Sequence, residues 1–206
     1  MSKYFALALG CGTQNREEKW LEVFYPNPVL NPDDKLVNSN ADEVDYQGGN
    51  LAVELNHRQI GKIARDWREA GFEHEASYAI AMQESQRPVV LVILESDDSP
   101  KTTPEAYLKL HLLSHRLVKP HGLNLTGIFG LLPNVAWTND GAVDLDELPE
   151  RQLMARLDGR VLSVFSVDKF PRMTDYVVPA GVRIADTARV RLGAYIGEGT
   201  TIMHEG

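Results

Sequence analysis

His111 and His115 stand four residues apart in a stretch of helical periodicity, a spacing that could present two imidazoles to one zinc ion. The intervening Leu-Leu-Ser lacks the glutamate of a metalloprotease helix, and no third ligand stands close in sequence. With Arg116, Lys119 and His121 the pair reads instead as a partly exposed basic edge, facing carboxylates of a partner subunit or water. Gly10-Cys-Gly-Thr-Gln-Asn15 begins like a dinucleotide-binding loop, but Asn15 replaces the third glycine and no clean helix start follows. Asp140, Asp144, Asp146 and Glu147 cluster where a turn meets a helix start, a position that favours acids for capping and for the helix dipole. The chain shows no serine nucleophile elbow, phosphate loop or paired-carboxylate signature.

The elements that must hold these residues follow from periodicity. The apolar run from Lys3 to Leu9, followed by Gly10 and Gly12, predicts a core strand ending in a turn. Trp20 to Phe24 is a second apolar segment, stopped by Pro26, Pro28 and Pro32, and residues 31–50 read as a long surface loop rich in Asp, Asn and Gly. Ile60, Ile63, Ala64 and Trp67 place a helix over His57 to Ala70, closed by Gly71, and Glu73 to Ser85 repeats the pattern. Pro88-Val-Val-Leu-Val-Ile-Leu94 is a continuous β-branched run, expected to be a central strand buried on both faces. Thr103-Pro104-Glu105 opens a helix with cap, proline and early acid, and its periodicity runs to Pro120. Residues 124–139 contain no charged side chain and are broken by Gly127, Gly130 and Pro133, so they should pack irregularly; a helix over Asp144 to Leu157 and a strand over Val161 to Val167 complete the alternation.

Composition sets outer bounds. A chain of 206 residues can bury a proper core in one or two domains, and 43% hydrophobic with 24% charged residues is ordinary for a globular protein. A single cysteine, Cys11, cannot form an intramolecular disulfide and favours a reducing, cytoplasmic setting. With 29 acidic against 21 basic residues, the net charge of −8 argues against a broad nucleic-acid face. No apolar stretch reaches the ~20 residues that a membrane helix needs, and Tyr4 to Leu9 is too short for a signal core.

After Tyr176 the period changes. Val178, Ile184, Val190, Ile196 and Ile202 recur at a spacing of six, with Val182, Ala188, Ala194 and Thr200 four residues beyond the first four. This is the hexapeptide repeat of a parallel β-helix, in which each hexad forms one side of a triangular coil and the aliphatic residue points into the prism. The fold expected is therefore an α/β N-terminal domain, residues 1–170, followed by the start of a left-handed parallel β-helix over residues 171–206, with the change of period between Asp168 and Val178. Five hexads make fewer than two coils and the final one shows no cap, so the chain is expected to be the front portion of a longer protein.

Four strings carry a family resemblance: residues 107–121, Leu132-Pro-Asn-Val-Ala-Trp-Thr-Asn139, Val164-Phe-Ser-Val-Asp-Lys-Phe-Pro171 and Thr174-Asp-Tyr-Val-Val-Pro-Ala-Gly-Val-Arg-Ile-Ala-Asp186. Together they resemble the tetrahydrodipicolinate N-succinyltransferases of the pseudomonad and actinobacterial branch. The resemblance implies transfer of succinyl from succinyl-CoA to the amino group of an open-chain tetrahydrodipicolinate in the diaminopimelate route to lysine. It also implies a cytoplasmic homotrimer acting on small molecules. The family's covalent carboxylate would follow Gly206 in a Glu-Gly-Arg motif, so no catalytic residue carries over and the 206 residues alone are expected to be inactive. One residue does carry over: Glu205 matches a position that binds magnesium on the trimer axis, where threefold symmetry turns one carboxylate into three ligands. Ala188 stands near the register of a second acid found in some relatives. Two alternatives remain at this stage, a non-catalytic assembly module and a metal-dependent hydratase on the same β-helix. The hydratase needs three interface histidines at coil spacing, of which the hexads offer His204.

Overall fold

The computed structural model describes residues 2–187 and 190–204. Its first sheet has the strand order β2 (Trp20–Phe24), β1 (Ala6–Gln14), β5 (Val89–Leu94), β4 (Leu51–Leu55), and β3 (Val29–Leu30) pairs with the start of β1. All of these pairings are antiparallel. Between the strands run α1 (Asp34–Asn38), α2 (His57–Glu69) and α3 (Glu73–Gln83).

Alternation along β1 sorts the two faces. Leu7 and Leu9, with Leu91 and Ile93 of β5, meet Ile60, Ile63 and Trp67 of α2 and Ala76 and Ala79 of α3. Each fully buried large side chain contributes about 1.5–3 kcal/mol relative to exposure. On the other face Ala6 and Ala8, opposite Leu94 and Val92, present small side chains to α4 (Thr103–Ser114). Helix α2 starts where Asn56 accepts the Gln59 N–H and Gln59 returns the bond, a capping box at 3.0 Å each way. Helix α4 starts at Thr102, whose hydroxyl accepts the Glu105 N–H at 3.3 Å.

Helix α4 is buried all round, because a second layer closes its far side. That layer is a small antiparallel sheet, β7 (Gly141–Asp144), β6 (Val135–Thr138), β8 (Val164–Asp168), with α5 (Ile128–Leu131) and α6 (Leu148–Leu157) in its connections. Met173, Val177, Val190 and Leu192 join Tyr107 and Leu112 in the same cluster, so the segment after β8 packs directly on the helix. Beyond a 3-10 turn at Met173–Asp175, β9 (Arg183–Ile184) and β10 (Thr201–Ile202) pair in parallel, Arg183 with Thr201 and Ile184 with Ile202.

Several expectations need correction. Gly10 and Gly12 do not end the first strand. They lie inside β1, where a Cβ on Gly10 would come 2.5 Å from the Tyr25 ring and one on Gly12 2.1 Å from the Glu22 carbonyl oxygen. The glycines thus mark close approach within a sheet rather than a turn. Residues 31–50 are not simply a surface loop, since α1 buries Leu36 and Val37 against the Trp67 side of the core. Helix α4 stops at Ser114 with His115 as its cap, short of Pro120. Of the hexad aliphatics, Val190 is buried and Ile184, Ile196 and Ile202 pack on the core cluster, but Val178 is 71% exposed and Val177 turns inward in its place. The first hexad is displaced by one residue because Val177 is held by the 3-10 turn, its N–H bonding the Met173 carbonyl at 2.7 Å.

Candidate functional site

The end of α4 organises the C-terminal segment. The Ser114 hydroxyl accepts the Gly193 N–H at 2.9 Å and donates to the Ala194 carbonyl at 3.1 Å. Arg116 donates to the carbonyls of Ile196 at 2.6 Å and Ala180 at 2.9 Å, and Lys119 reaches the Tyr195 hydroxyl at 2.7 Å. The basic edge expected to face a partner subunit or water is therefore an intramolecular clamp: Arg116 and Lys119 bind the segment of residues 180–196. Backbone carbonyls there need donors, and long cationic side chains supply them.

His111 and His115 stack with ring centroids 6.1 Å apart, yet form no metal site. His111 is wholly buried; its Nδ1 donates to the Tyr107 carbonyl at 2.7 Å and its Nε2 accepts the Tyr25 N–H at 3.2 Å. Both ring nitrogens are spent on backbone, and burial pushes the imidazole down to about 3. Burial also lowers His115. Lys109 on the same helix is completely enclosed, donating to the Asp97 carboxylate, the Asp98 carbonyl and, at 2.9 Å, the Asn124 carbonyl. The acidic cluster serves turns and cross-links rather than a helix cap: α6 starts at Leu148, not Asp144, with no side-chain cap bond, while Asp144 in β7 accepts from Asn15 at 2.7 Å and from the Asp146 N–H at 3.0 Å, and Glu147 accepts the Arg16 N–H at 2.7 Å.

Two cavities flank this scaffold. An apolar cleft of about 890 Å³ runs between Leu110, Ile128 and Phe129 on one side and Leu192, Ile196 and Ile202 on the other. A polar cavity of about 590 Å³ opens where the end of the β1–β2 pair meets the second sheet; Glu22, Arg87, Trp137, Phe165, Arg172 and Tyr176 face it. Glu22 is 8% exposed and accepts the Tyr176 hydroxyl at 2.9 Å. Burial raises its carboxyl despite hydrogen bonds from Thr13 and Tyr176 and the field of Arg87. Nothing in the sequence brings Glu22, Arg87 and Tyr176 together, because they lie on separate elements and share no spacing.

Glu205 and Ala188, the residues tied to a magnesium site, lie outside the described residues. Among the described residues no group of three His, Cys, Asp or Glu side chains could hold a metal ion. No helix among them is long and apolar enough to cross a membrane.

The paired strands β9 and β10 are offset by 18 residues, as is the Gly199 N–H to Gly181 carbonyl bond of 2.8 Å. An 18-residue rise in parallel register is three hexads per turn. Two family profiles match, "Tetrahydrodipicolinate N-succinyltransferase N-terminal" over residues 50–130 and "Tetrahydrodipicolinate N-succinyltransferase middle" over residues 132–172. A 2,3,4,5-tetrahydropyridine-2,6-dicarboxylate N-succinyltransferase of Pseudomonas paraeruginosa is 63% identical over 203 residues, covering 98% of this chain and 58% of the relative. The Vibrio cholerae protein of the same name is 56% identical over 203 residues, covering 98% of this chain and 59% of the relative. A crystal structure from Campylobacter jejuni, described as a 2,3,4,5-tetrahydropyridine-2-carboxylate N-succinyltransferase, superposes with a TM-score of 0.84 at 24% identity, covering 99% of this chain and 57% of that one. The chain thus spans under two thirds of the length of these relatives, and it belongs to the tetrahydrodipicolinate N-succinyltransferase family.

Proposed function

We propose that this chain is the N-terminal portion of an acyltransferase subunit that moves succinyl from succinyl-CoA to the amino group of open-chain tetrahydrodipicolinate, in diaminopimelate and lysine biosynthesis. The observation that carries the reading is the identity of 63% over nearly the whole chain to a relative of that name. In net terms the amine nitrogen bonds the succinyl carbonyl carbon, the thioester carbon–sulfur bond breaks, CoA leaves as thiolate, and the amine gives up a proton. That requires an unprotonated amine, donors for the oxyanion and a cleft that orients two anionic molecules.

Within this reading residues 1–170 form the α/β unit and residues 171–206 begin a left-handed β-helix. The 18-residue rung supports the second assignment. The α/β unit contributes a foundation: Ser114, Arg116 and Lys119 fix the first coil in position, and later coils would stack on it. Three such β-helices side by side would form a cytoplasmic homotrimer with substrates in the clefts between neighbours. Glu205 would offer one carboxylate per subunit to magnesium on the axis. No step of the transfer depends on that ion here. The 206 residues alone are proposed to lack turnover.

A growth test addresses the reading. Residues 1–206 joined to the remaining length of the Pseudomonas paraeruginosa relative should let a bacterium that lacks this succinyltransferase grow without added diaminopimelate, whereas residues 1–206 alone should not. Failure of a stably expressed fusion to restore growth, or rescue by the 206 residues alone, would contradict it.

A further inference from the structure

The polar cavity beside β2 holds two charged groups that form no ion pair among the described residues. Glu22 sits on its floor, 8% exposed, with a hydroxyl from Tyr176 at 2.9 Å and hydrogen bonds from Thr13, but with no ion pair among the described residues. Arg87 stands at the mouth; its guanidinium touches only the Thr13 hydroxyl, at 3.5 Å, and likewise forms no ion pair among the described residues. The neighbouring cation behaves differently. Arg172 is engaged twice by Asp175, at 3.1 and 3.2 Å, and lies 5.0 Å over the Phe165 ring. A buried carboxyl and a free guanidinium thus converge on one residue, Thr13, without meeting each other.

A buried acceptor without a cation is costly unless a donor reaches it, and a guanidinium presents a planar fork matched to a carboxylate. Phe24, Trp137, Phe165 and Ala142 supply apolar wall, beside Thr138, Asn139 and the Asp175 already paired with Arg172. A volume of about 590 Å³ falls within the range of small-molecule sites. We propose that this cavity binds an α-amino acid, its ammonium on Glu22, its carboxylate on Arg87 and an apolar side chain against Phe24, Trp137 and Phe165. The α-amino acid backbone places an ammonium and a carboxylate on one carbon, which suits two protein charges that share Thr13. A second ligand carboxylate would find Arg172 already occupied, so the site favours monocarboxylic amino acids.

Isothermal titration of the 206-residue chain with L-norleucine, hexanoate and 1-aminopentane tests this directly. L-Norleucine should bind at least roughly tenfold tighter than either single-headed analogue, because each analogue loses one charge-assisted bond. Arg87→Ala, at a solvent-facing position, and the isosteric Glu22→Gln should each weaken L-norleucine by a similar factor, while circular dichroism and melting temperature confirm that both remain folded. Absence of heat with L-norleucine at millimolar concentration, equal binding of 1-aminopentane, or undiminished binding by folded Arg87→Ala would overturn the proposal. If Glu22→Gln does not fold, Arg87→Ala and the two analogues still decide it.

Discussion

Gly193 lies against Leu110, close enough that a Cβ on the glycine would sit 2.6 Å from a Leu110 methyl, and its φ of +98° is one that L side chains rarely adopt. Its N–H at the same time bonds the Ser114 hydroxyl at 2.9 Å. One residue therefore meets α4 at both its apolar flank and its C-terminal end, and this contact sets where the C-terminal segment stands on the helix. Gly193→Ala should destabilise the protein by about 1–3 kcal/mol, from backbone strain and overpacking together. Ser114→Ala should cost a similar ~1–3 kcal/mol by leaving the Gly193 N–H and Ala194 carbonyl without their partner. Urea unfolding followed by circular dichroism measures both, and wild-type stability in either variant would refute the anchoring role.

Lys109 is a buried cation held by Asp97 and two carbonyls. Lys109→Met keeps the volume but leaves Asp97, whose side chain is 28% exposed, without its counter-charge. The expected loss is about 3 kcal/mol, and a Lys109→Met, Asp97→Asn double variant should lose less than the sum of the two single changes. Additive losses in chemical denaturation would show that the pair is not coupled.

His111 gives the fold a defined acid sensitivity. Its folded-state value of about 3 lies below the ordinary 6.5, so the unfolded chain takes up this proton first. The stability tied to neutral His111 is fully present above pH 6.5 and is lost as pH falls from 6.5 toward about 3. Between about pH 6 and pH 4 this group alone should remove roughly 1.4 kcal/mol per pH unit. His111→Gln, which retains an acceptor for the Tyr25 N–H, should flatten the unfolding free energy over that interval by one proton's worth. His115, lowered in the same direction by burial, remains in both proteins. Parallel pH profiles would count against a neutral, buried imidazole.

Much of the architecture was legible because it rests on local periodicity. The six buried residues of β5 form an unbroken apolar run, and α2 shows its core stripe in Ile60, Ile63 and Trp67. What stayed hidden depends on partners remote in sequence. Gly10 and Gly12 look like a turn until Tyr25 and the Glu22 backbone are brought against them. Arg116 and Lys119 look like a solvent-facing edge until the carbonyls of residues 180 and 196 and the Tyr195 hydroxyl arrive as acceptors. The hexad period marked the aliphatic residues that turn inward at 184, 190, 196 and 202, but the 3-10 turn at Met173–Asp175 shifted the first of the series from Val178 to Val177, a local competition that a spacing of six does not encode. The polar cavity left no trace because Glu22, Arg87 and Tyr176 come from separate elements.

If Glu205 supplies one carboxylate per subunit to an axial magnesium ion, Glu205→Gln in the fusion extended to the length of its relatives should weaken trimer formation or its dependence on magnesium. Replacing a hard anionic ligand by an amide removes charge while preserving shape. Sedimentation with and without magnesium reads the effect. Unchanged mass and unchanged magnesium response would remove Glu205 from the site.

Succinyl transfer itself is measured most directly by thiol release from succinyl-CoA with L-2-aminopimelate as the amine acceptor. The purified fusion of residues 1–206 with the remaining length of the Pseudomonas paraeruginosa relative should release CoA only when both substrates are present, and the 206-residue chain should release none. A folded, trimeric fusion without acceptor-dependent CoA release, or turnover by the 206 residues alone, would contradict the assignment.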